Sequence, residues 1–157
     1  MSGKGRPTWV EIDHSALRHN LTCIERRVGS DVRTIGVIKA NAYGHGAIEV
    51  ASSLLAAGVT KLAVATVAEG LELRQAAINA PILVFAGRYD VAAGQVWEAG
   101  LEPVVFDHAV LDSLEVARPV GAPSLSVHLH LDSGMGRLGV NGSPPLGRLG
   151  VIPSPRP

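Results

Sequence analysis

The sequence holds a single cysteine, Cys23, so no disulfide can form within the chain. A reduced, cytoplasmic setting fits that usage. Charge of one sign is not in excess either: 14 lysines and arginines balance 14 aspartates and glutamates. That balance excludes a broadly basic surface, and with it nucleic acid as an expected partner. A few local groups could still hold a phosphorylated small molecule. Long apolar runs are missing as well. No stretch approaches the roughly 18 consecutive apolar residues of a membrane span. Met1 to Pro7 is polar, with no apolar segment of the secretory type behind it. A soluble protein with no membrane partner is expected. Length is limited too, since a closed (β/α)8 barrel typically takes about 250 residues and this chain has 157.

What is present suffices for a real core, with 46% hydrophobic residues against 18% charged. Two hydrophobic periods alternate along the chain. Trp9 to Ile12 is short and strand-like. Asp13 is placed to cap a helix whose Leu17, Leu21, Ile24 and Val28 share one face, with Gly29 ending it in a left-handed conformation. Thr34 to Ile38 is a β-branched run of the buried parallel type. Gly44 to Gly46 reads as a turn, and Ala47 to Ala57 as a helix stopped by Gly58. The same alternation predicts strands over Leu62 to Ala65, Ile82 to Phe85, Pro103 to Phe106 and Ser124 to Leu131. It predicts helices over Val67 to Ile78, Val91 to Ala99 and Val110 to Ala117. Strands separated by helices argue for βαβ units and a parallel sheet, hence an α/β fold. Right-handed crossovers would curve such a series into a barrel or open it as a doubly wound sheet, and the pattern alone does not choose. The alternation stops at Val140. Asn141 to Pro157 holds five of the ten prolines and no apolar period, so it is expected outside the packed core, as an extension or a departure of the reading frame.

One segment concentrates chemistry: Val37-Ile38-Lys39-Ala40-Asn41-Ala42-Tyr43-Gly44-His45-Gly46. Lys39 falls at the carboxyl end of an apolar strand, where parallel α/β sheets present their ligands. An ammonium there is costly to desolvate, which favours the neutral amine that forms a Schiff base with an aldehyde. Tyr43 follows on a loop where its hydroxyl could meet a phosphate. Gly44 and Gly46 let backbone approach closely ahead of the next helix. Spacing alone favours a plainer alternative, a strand-end lysine reaching solvent before an ordinary glycine-rich turn.

These ten residues resemble the pyridoxal-phosphate attachment signature of the alanine racemase family, V-x-K-A-[DN]-[GA]-Y-G-H-G, at every defined position. Other segments agree in order. Trp9 to Asp13 with Ala16 to Leu21 resembles the family's opening, and Leu131 to Gly139 resembles its D-[TS]-G-M-G-R-L-G motif. Ala65 to Arg74, with Glu69 inside it, is a weaker echo of A-x-x-x-E-A-x-x-L-R. The resemblance implies a domain over residues 8–140 that is part of a TIM-type (β/α)8 barrel with parallel strands. The family's later strands and C-terminal β domain are expected to be missing from it. It implies Lys39 as the lysine that holds pyridoxal 5'-phosphate and acts as one of two catalytic bases. Tyr43 would bind the cofactor phosphate, and Arg137 would orient the cofactor and the substrate carboxylate. The activity implied is interconversion of L- and D-alanine, supplying D-alanine for cell-wall peptidoglycan, with a homodimer as the family's assembly.

One position departs from the pattern. Many family members carry a lysine, often carbamylated, two residues before the motif's aspartate, where this sequence has His130. Histidine cannot supply a carbamate anion, so the support of Arg137 is expected to differ. His128 and His130 alternate on one strand, but with no third ligand in view no metal site is expected. His14, His19 and His108 read as solvated or capping positions. The family's second base is a tyrosine from the partner subunit's C-terminal domain. No tyrosine follows Val140, and Tyr89 reads as a loop residue outside any motif. The chain alone is therefore expected to be an incomplete catalyst. Two other readings stay open. A non-catalytic pyridoxal-phosphate-binding barrel protein would keep a strand-end lysine without N-A-Y-G-H-G or G-M-G-R-L-G, and an inactive pseudo-enzyme fragment would bind nothing. Serine stays open beside alanine as substrate.

Overall fold

In the computed structural model, which describes residues 8–85 and 89–140, helix α1 (His14–Val28) starts on its expected cap. The Asp13 carboxylate accepts from the Ser15 and Ala16 amides at 2.8 and 3.1 Å. There follow β1 (Ile35–Val37), the single turn α2 (Lys39–Gly44), left-handed over residues 40–43, then α3 (Ala47–Ala56), β2 (Lys61–Val64), α4 (Val67–Gln75) and β3 (Ile82–Val84). The series continues with α5 (Tyr89–Glu98), β4 (Glu102–Val105), α6 (His108–Val116) and β5 (His128–Leu129).

The five strands form a parallel sheet in the order β1-β2-β3-β4-β5. Each strand thus pairs with the next in the chain, and helix covers every crossover. A doubly wound sheet reverses direction at a switch point and sets non-consecutive strands side by side. No reversal occurs among these strands, so they wind in one direction as βα-barrel strands do and not as a doubly wound sheet.

Period-2 alternation divides the core. Leu62, Val64, Ile82, Val84 and Val105 face a helix-side cluster that includes Leu54, Leu73, Val96, Leu101 and Leu114. Ala63, Leu83 and Val104 form a second, smaller cluster on the other face. The central strands are therefore buried on both sides, as parallel strands require. Packing between β1 and α3 is close. A Cβ on Gly36 would stand 2.9 Å from Leu54 Cδ1 and 3.2 Å from Leu62 Cδ2, so any side chain there would push both leucines aside.

Several expectations change. Trp9 to Ile12 forms no strand, because no neighbour pairs with it among the described residues; Trp9 and Val10 are largely exposed. The apolar face of α1 is only half used: Leu21 is buried and Leu17 packs on the core, while Ile24 and Val28 stay exposed. Gly29 has positive φ but ψ of 165°, extended rather than left-handed helical. In β1 only Gly36 is buried, since no strand covers its outer edge among the described residues. The strand expected over Ser124 to Leu131 shrinks to β5. Leu125 and Val127 pack against the helix-side cluster instead, and Leu131 makes a single parallel bridge to Val140. Tyr89 is no loop residue: it opens α5 inside the core and donates its hydroxyl to the Val84 carbonyl at 3.1 Å. Burial pushes its phenol up to about 12, against a smaller opposing pull from the Val104 backbone. Residues 141–157 lie outside the described residues. No helix among the described residues is long and apolar enough to cross a membrane.

One side chain gathers the loops that follow α4 and α5. The Arg74 guanidinium donates to the carbonyls of Ala99 at 2.8 Å, Ile78 at 2.6 Å, Ala80 at 3.0 Å and Gly100 at 3.3 Å. A planar fork can serve four acceptors at once, and an ammonium cannot. Arg74→Met should lower unfolding free energy in urea by about 2–4 kcal/mol, since several carbonyls lose a charged donor. Arg74→Lys should recover only part of the loss. An unchanged Arg74→Met midpoint would contradict this account of the loops.

Candidate cofactor site

The backbone changes hand one residue after Lys39. Ile38 is buried and donates its amide to the Ala63 carbonyl at 2.9 Å, and Lys39 follows half-buried at the carboxyl end of β1. Ala40, Asn41, Ala42 and Tyr43 then hold φ of 52°, 54°, 51° and 55° with ψ between 36° and 50°. At roughly 1–2 kcal/mol per L-residue, such a left-handed run costs about 4–8 kcal/mol. Local bonds offset it. The Ala42 amide donates to the Ile38 carbonyl at 2.9 Å, and Gly46 to the Asn41 carbonyl at 3.0 Å. Asn41 Oδ1 accepts from the Ala47 amide at 2.7 Å, tying the turn to the start of α3. His45 Nδ1 donates to the Ala42 carbonyl at 2.8 Å, which gives this histidine a structural use. Asparagine tolerates this backbone region best among non-glycine residues, and the two alanines present the least bulk.

Glu69 ties the turn to the next βα unit. Its Oε1 accepts from the Ala40 amide at 2.7 Å, while Oε2 accepts from the Ala65 and Thr66 amides at 2.7 and 3.0 Å. The Oε2 side belongs to a capping box on α4, in which Thr66 Oγ1 accepts from the Glu69 amide. Burial alone would raise this carboxyl, but the amides of Ala40, Thr66 and Ala65 outweigh it and hold the group below its ordinary value. Glu69 falls within the A-x-x-x-E-A-x-x-L-R echo, which by itself assigns it no role. The T-x-x-E spacing announces the cap, whereas nothing in the spacing announces a contact with Ala40, 29 positions away.

Lys39, Tyr43, His130 and Arg137 line one cavity of about 700 Å³, with Val37 and Phe85 among its apolar walls. The three residues singled out as site residues, Lys39, Tyr43 and Arg137, are thus brought together from the end of β1, the left-handed turn and the loop after β5. Lys39 Nζ stands 6.0 Å from the centre of the Tyr43 ring, at the outer limit of a cation–π contact. Arg137 sits on a loop wound around Asp132, whose Oδ1 accepts from the Gly134 and Gly136 amides at 2.9 and 3.1 Å. Those bonds, Gly136 first, hold the Asp132 carboxyl below its ordinary value. The loop crosses itself so closely that a Cβ on Gly139 would meet the Asp132 nitrogen at 2.5 Å. His130 shares the wall with Arg137, and no hydrogen bond joins the two among the described residues. An amine for an aldehyde, a phenol and a guanidinium for anionic oxygens, and apolar walls for a flat ring are a donor set that fits pyridoxal phosphate.

His128 also lines the cavity beside His130, and its own bond goes to a different partner. Its Nε2 meets Glu102 Oε2 at 2.8 Å, and Lys61 Nζ reaches the same oxygen at 2.5 Å. These are the first residues of β5, β4 and β2, so the cluster ties amino ends of strands together. Burial would raise the Glu102 carboxyl, but the Lys61 and His128 contacts outweigh it and hold the group below its ordinary value. Among the described residues, no three His, Cys, Asp or Glu side chains group to hold a metal ion.

Comparison with known proteins gives a consistent result. The sequence model of the family described as "Alanine racemase, N-terminal domain" matches residues 12–146. "Alanine racemase 2" of Caldanaerobacter subterraneus subsp. tengcongensis is 44% identical over 135 residues, which are 85% of this chain and 34% of that protein. The crystal structure of alanine racemase from Bacillus anthracis with bound L-Ala-P superposes with a TM-score of 0.81 at 38% identity, covering 90% of this chain and 36% of that one. Alanine racemase of Clostridium difficile 630 in complex with cycloserine gives a TM-score of 0.80 at 41% identity, covering 85% and 37%. The chain therefore spans about a third of the length of the relatives it matches.

The Glu102 cluster makes a pH dependence testable. A carboxyl depressed by folding contributes stability above the ordinary glutamate value, and that contribution is lost as pH falls through the folded value. Urea midpoints should fall on acidification below about pH 4.3, and Glu102→Gln should make that acid slope shallower. A slope of native steepness in the variant would mean that the cluster does not stabilise the fold.

Proposed function

Since the chain belongs to the alanine racemase family, matching that family's N-terminal domain, we propose that it forms the cofactor-holding part of a pyridoxal-phosphate-dependent enzyme that interconverts L- and D-alanine. The observation that carries the reading is the meeting of Lys39, Tyr43 and Arg137 on one apolar-walled cavity. Lys39 would hold the cofactor's aldehyde carbon through Nζ, the Tyr43 hydroxyl would bind its phosphate, and Arg137 would orient its ring oxygen and the substrate carboxylate. When bound, the cofactor supplies an electron sink that acidifies the proton on the amino acid's Cα. Lys39 Nζ then takes or returns that proton from its own side of the cavity. Val37 and Phe85 would offer apolar contact to the cofactor ring.

Inversion needs a second base on the opposite face. Tyr89 is unfit for that role, being buried with its hydroxyl on the Val84 carbonyl. In the whole family protein the second base would come from a partner subunit, so a homodimer is the assembly proposed, in the cytoplasm. The product would be D-alanine for peptidoglycan. The L-Ala-P bound to one relative supports alanine over serine. Residues 8–140 are read as a single barrel-forming domain, with 141–157 outside it.

Borohydride treatment with pyridoxal phosphate present should fix one pyridoxyl group on Lys39, and Lys39→Ala should abolish it. The same chain, given L-alanine and cofactor, should yield no D-alanine beyond what free cofactor makes. Labelling at Lys61 in place of Lys39 would refute the assignment, and an absence of any label would favour an inactive relative that binds nothing.

A further inference from the structure

We propose that Glu69 is the positioning residue of Lys39: its carboxylate ties the left-handed turn to the β2–α4 connection and so sets where the lysine amine stands in the cavity. This rests on the reading of Lys39 as the cofactor-holding lysine. Lys39 is bracketed by two backbone bonds to one βα unit. On one side the Ile38 amide is held by the Ala63 carbonyl of β2, and on the other the Ala40 amide is held by Glu69 Oε1. Ala40 is also where the chain changes hand, so its N–H points away from the regular partners of strand or right-handed helix. A carboxylate reaching from α4 supplies the acceptor, and with it a fixed distance between the turn and β2.

The plainer account is that Glu69 merely caps α4. The two oxygens separate these accounts, because Oε2 serves the Ala65 and Thr66 amides while Oε1 alone serves Ala40. Glutamine has one acceptor and one donor. It can keep the two bonds of the cap, and must then turn an NH2 group toward the Ala40 N–H. Glu69→Gln thus preserves the cap and breaks the tether. Thr66→Ala does the reverse, removing the hydroxyl that accepts from the Glu69 amide while leaving Oε1 on Ala40.

The experiment compares the 157-residue chain with both variants in three measurements. These are hydrogen exchange at the Ala40 amide without cofactor, pyridoxal-phosphate affinity by absorbance titration, and urea stability. Glu69→Gln should speed Ala40 exchange and weaken cofactor affinity, each by about tenfold, the value of one charge-assisted bond. Its stability should change less than that of Thr66→Ala, which should lose stability and keep native affinity. Native cofactor affinity in Glu69→Gln overturns the proposal, as does an equal loss of affinity in Thr66→Ala. If the native chain takes up no cofactor, the functional reading fails, and Ala40 exchange then decides alone. Faster exchange in Glu69→Gln supports the tether, and unchanged exchange overturns it.

Discussion

Four consecutive left-handed residues, Ala40 to Tyr43, are the constraint around which this chain is arranged. Their intrinsic cost of several kcal/mol is comparable with the whole stability of an ordinary domain. A conformation of that kind persists only where its surroundings over-determine it. Those surroundings are specific: the Ile38 and Asn41 carbonyls, the Asn41 side chain, His45 and the Glu69 carboxylate each hold one point of the turn. The expensive segment starts directly after Lys39 and ends with Tyr43, and both of these residues line the cavity. Strain is concentrated where the reactive amine and the phenol have to be placed.

The sheet does the rest of the placing. Because every strand is parallel and pairs with the next in the chain, all carboxyl ends share one rim. Lys39 leaves the first strand at that rim, and Arg137 arrives by the loop after the fifth. Tying at other positions is left to different residues. Lys61, Glu102 and His128 join amino ends of strands, and Arg74 gathers the loops behind α4 and α5. The two roles meet at His128, which joins the cross-tie at Glu102 and also lines the cavity.

Much of this was legible in the residues. The Asp13 cap, the alternation of strand and helix, and the strand-end position of Lys39 follow from local patterns that the structure keeps. Pairing order was not legible, because barrel and doubly wound sheets share the same local periods. Gly29, Trp9 to Ile12 and the long fifth strand misled for one reason: propensity speaks before partners do, and the partners decided otherwise. The left-handed turn escaped since Ala-Asn-Ala-Tyr carries no hydrophobic period of its own. Glu69 escaped in its second role because its Ala40 contact joins two βα units. Tyr89, read as a loop residue, is in the core because its ring fills space behind β3 and its hydroxyl finds a carbonyl there.

The family relation rests on two agreeing observations, a domain match over residues 12–146 and superposition on racemase structures at 38–41% identity. What makes that relation physical is the turn. Its most direct test is the intraresidue NOE between amide and α protons at Ala40, Asn41, Ala42 and Tyr43, recorded on the chain without cofactor. Positive φ brings the two protons close, so all four cross-peaks should be strong relative to those of right-handed residues in α3. Weak cross-peaks at these positions would mean that the backbone keeps its ordinary hand after Lys39, and the account of how the lysine is placed would be wrong.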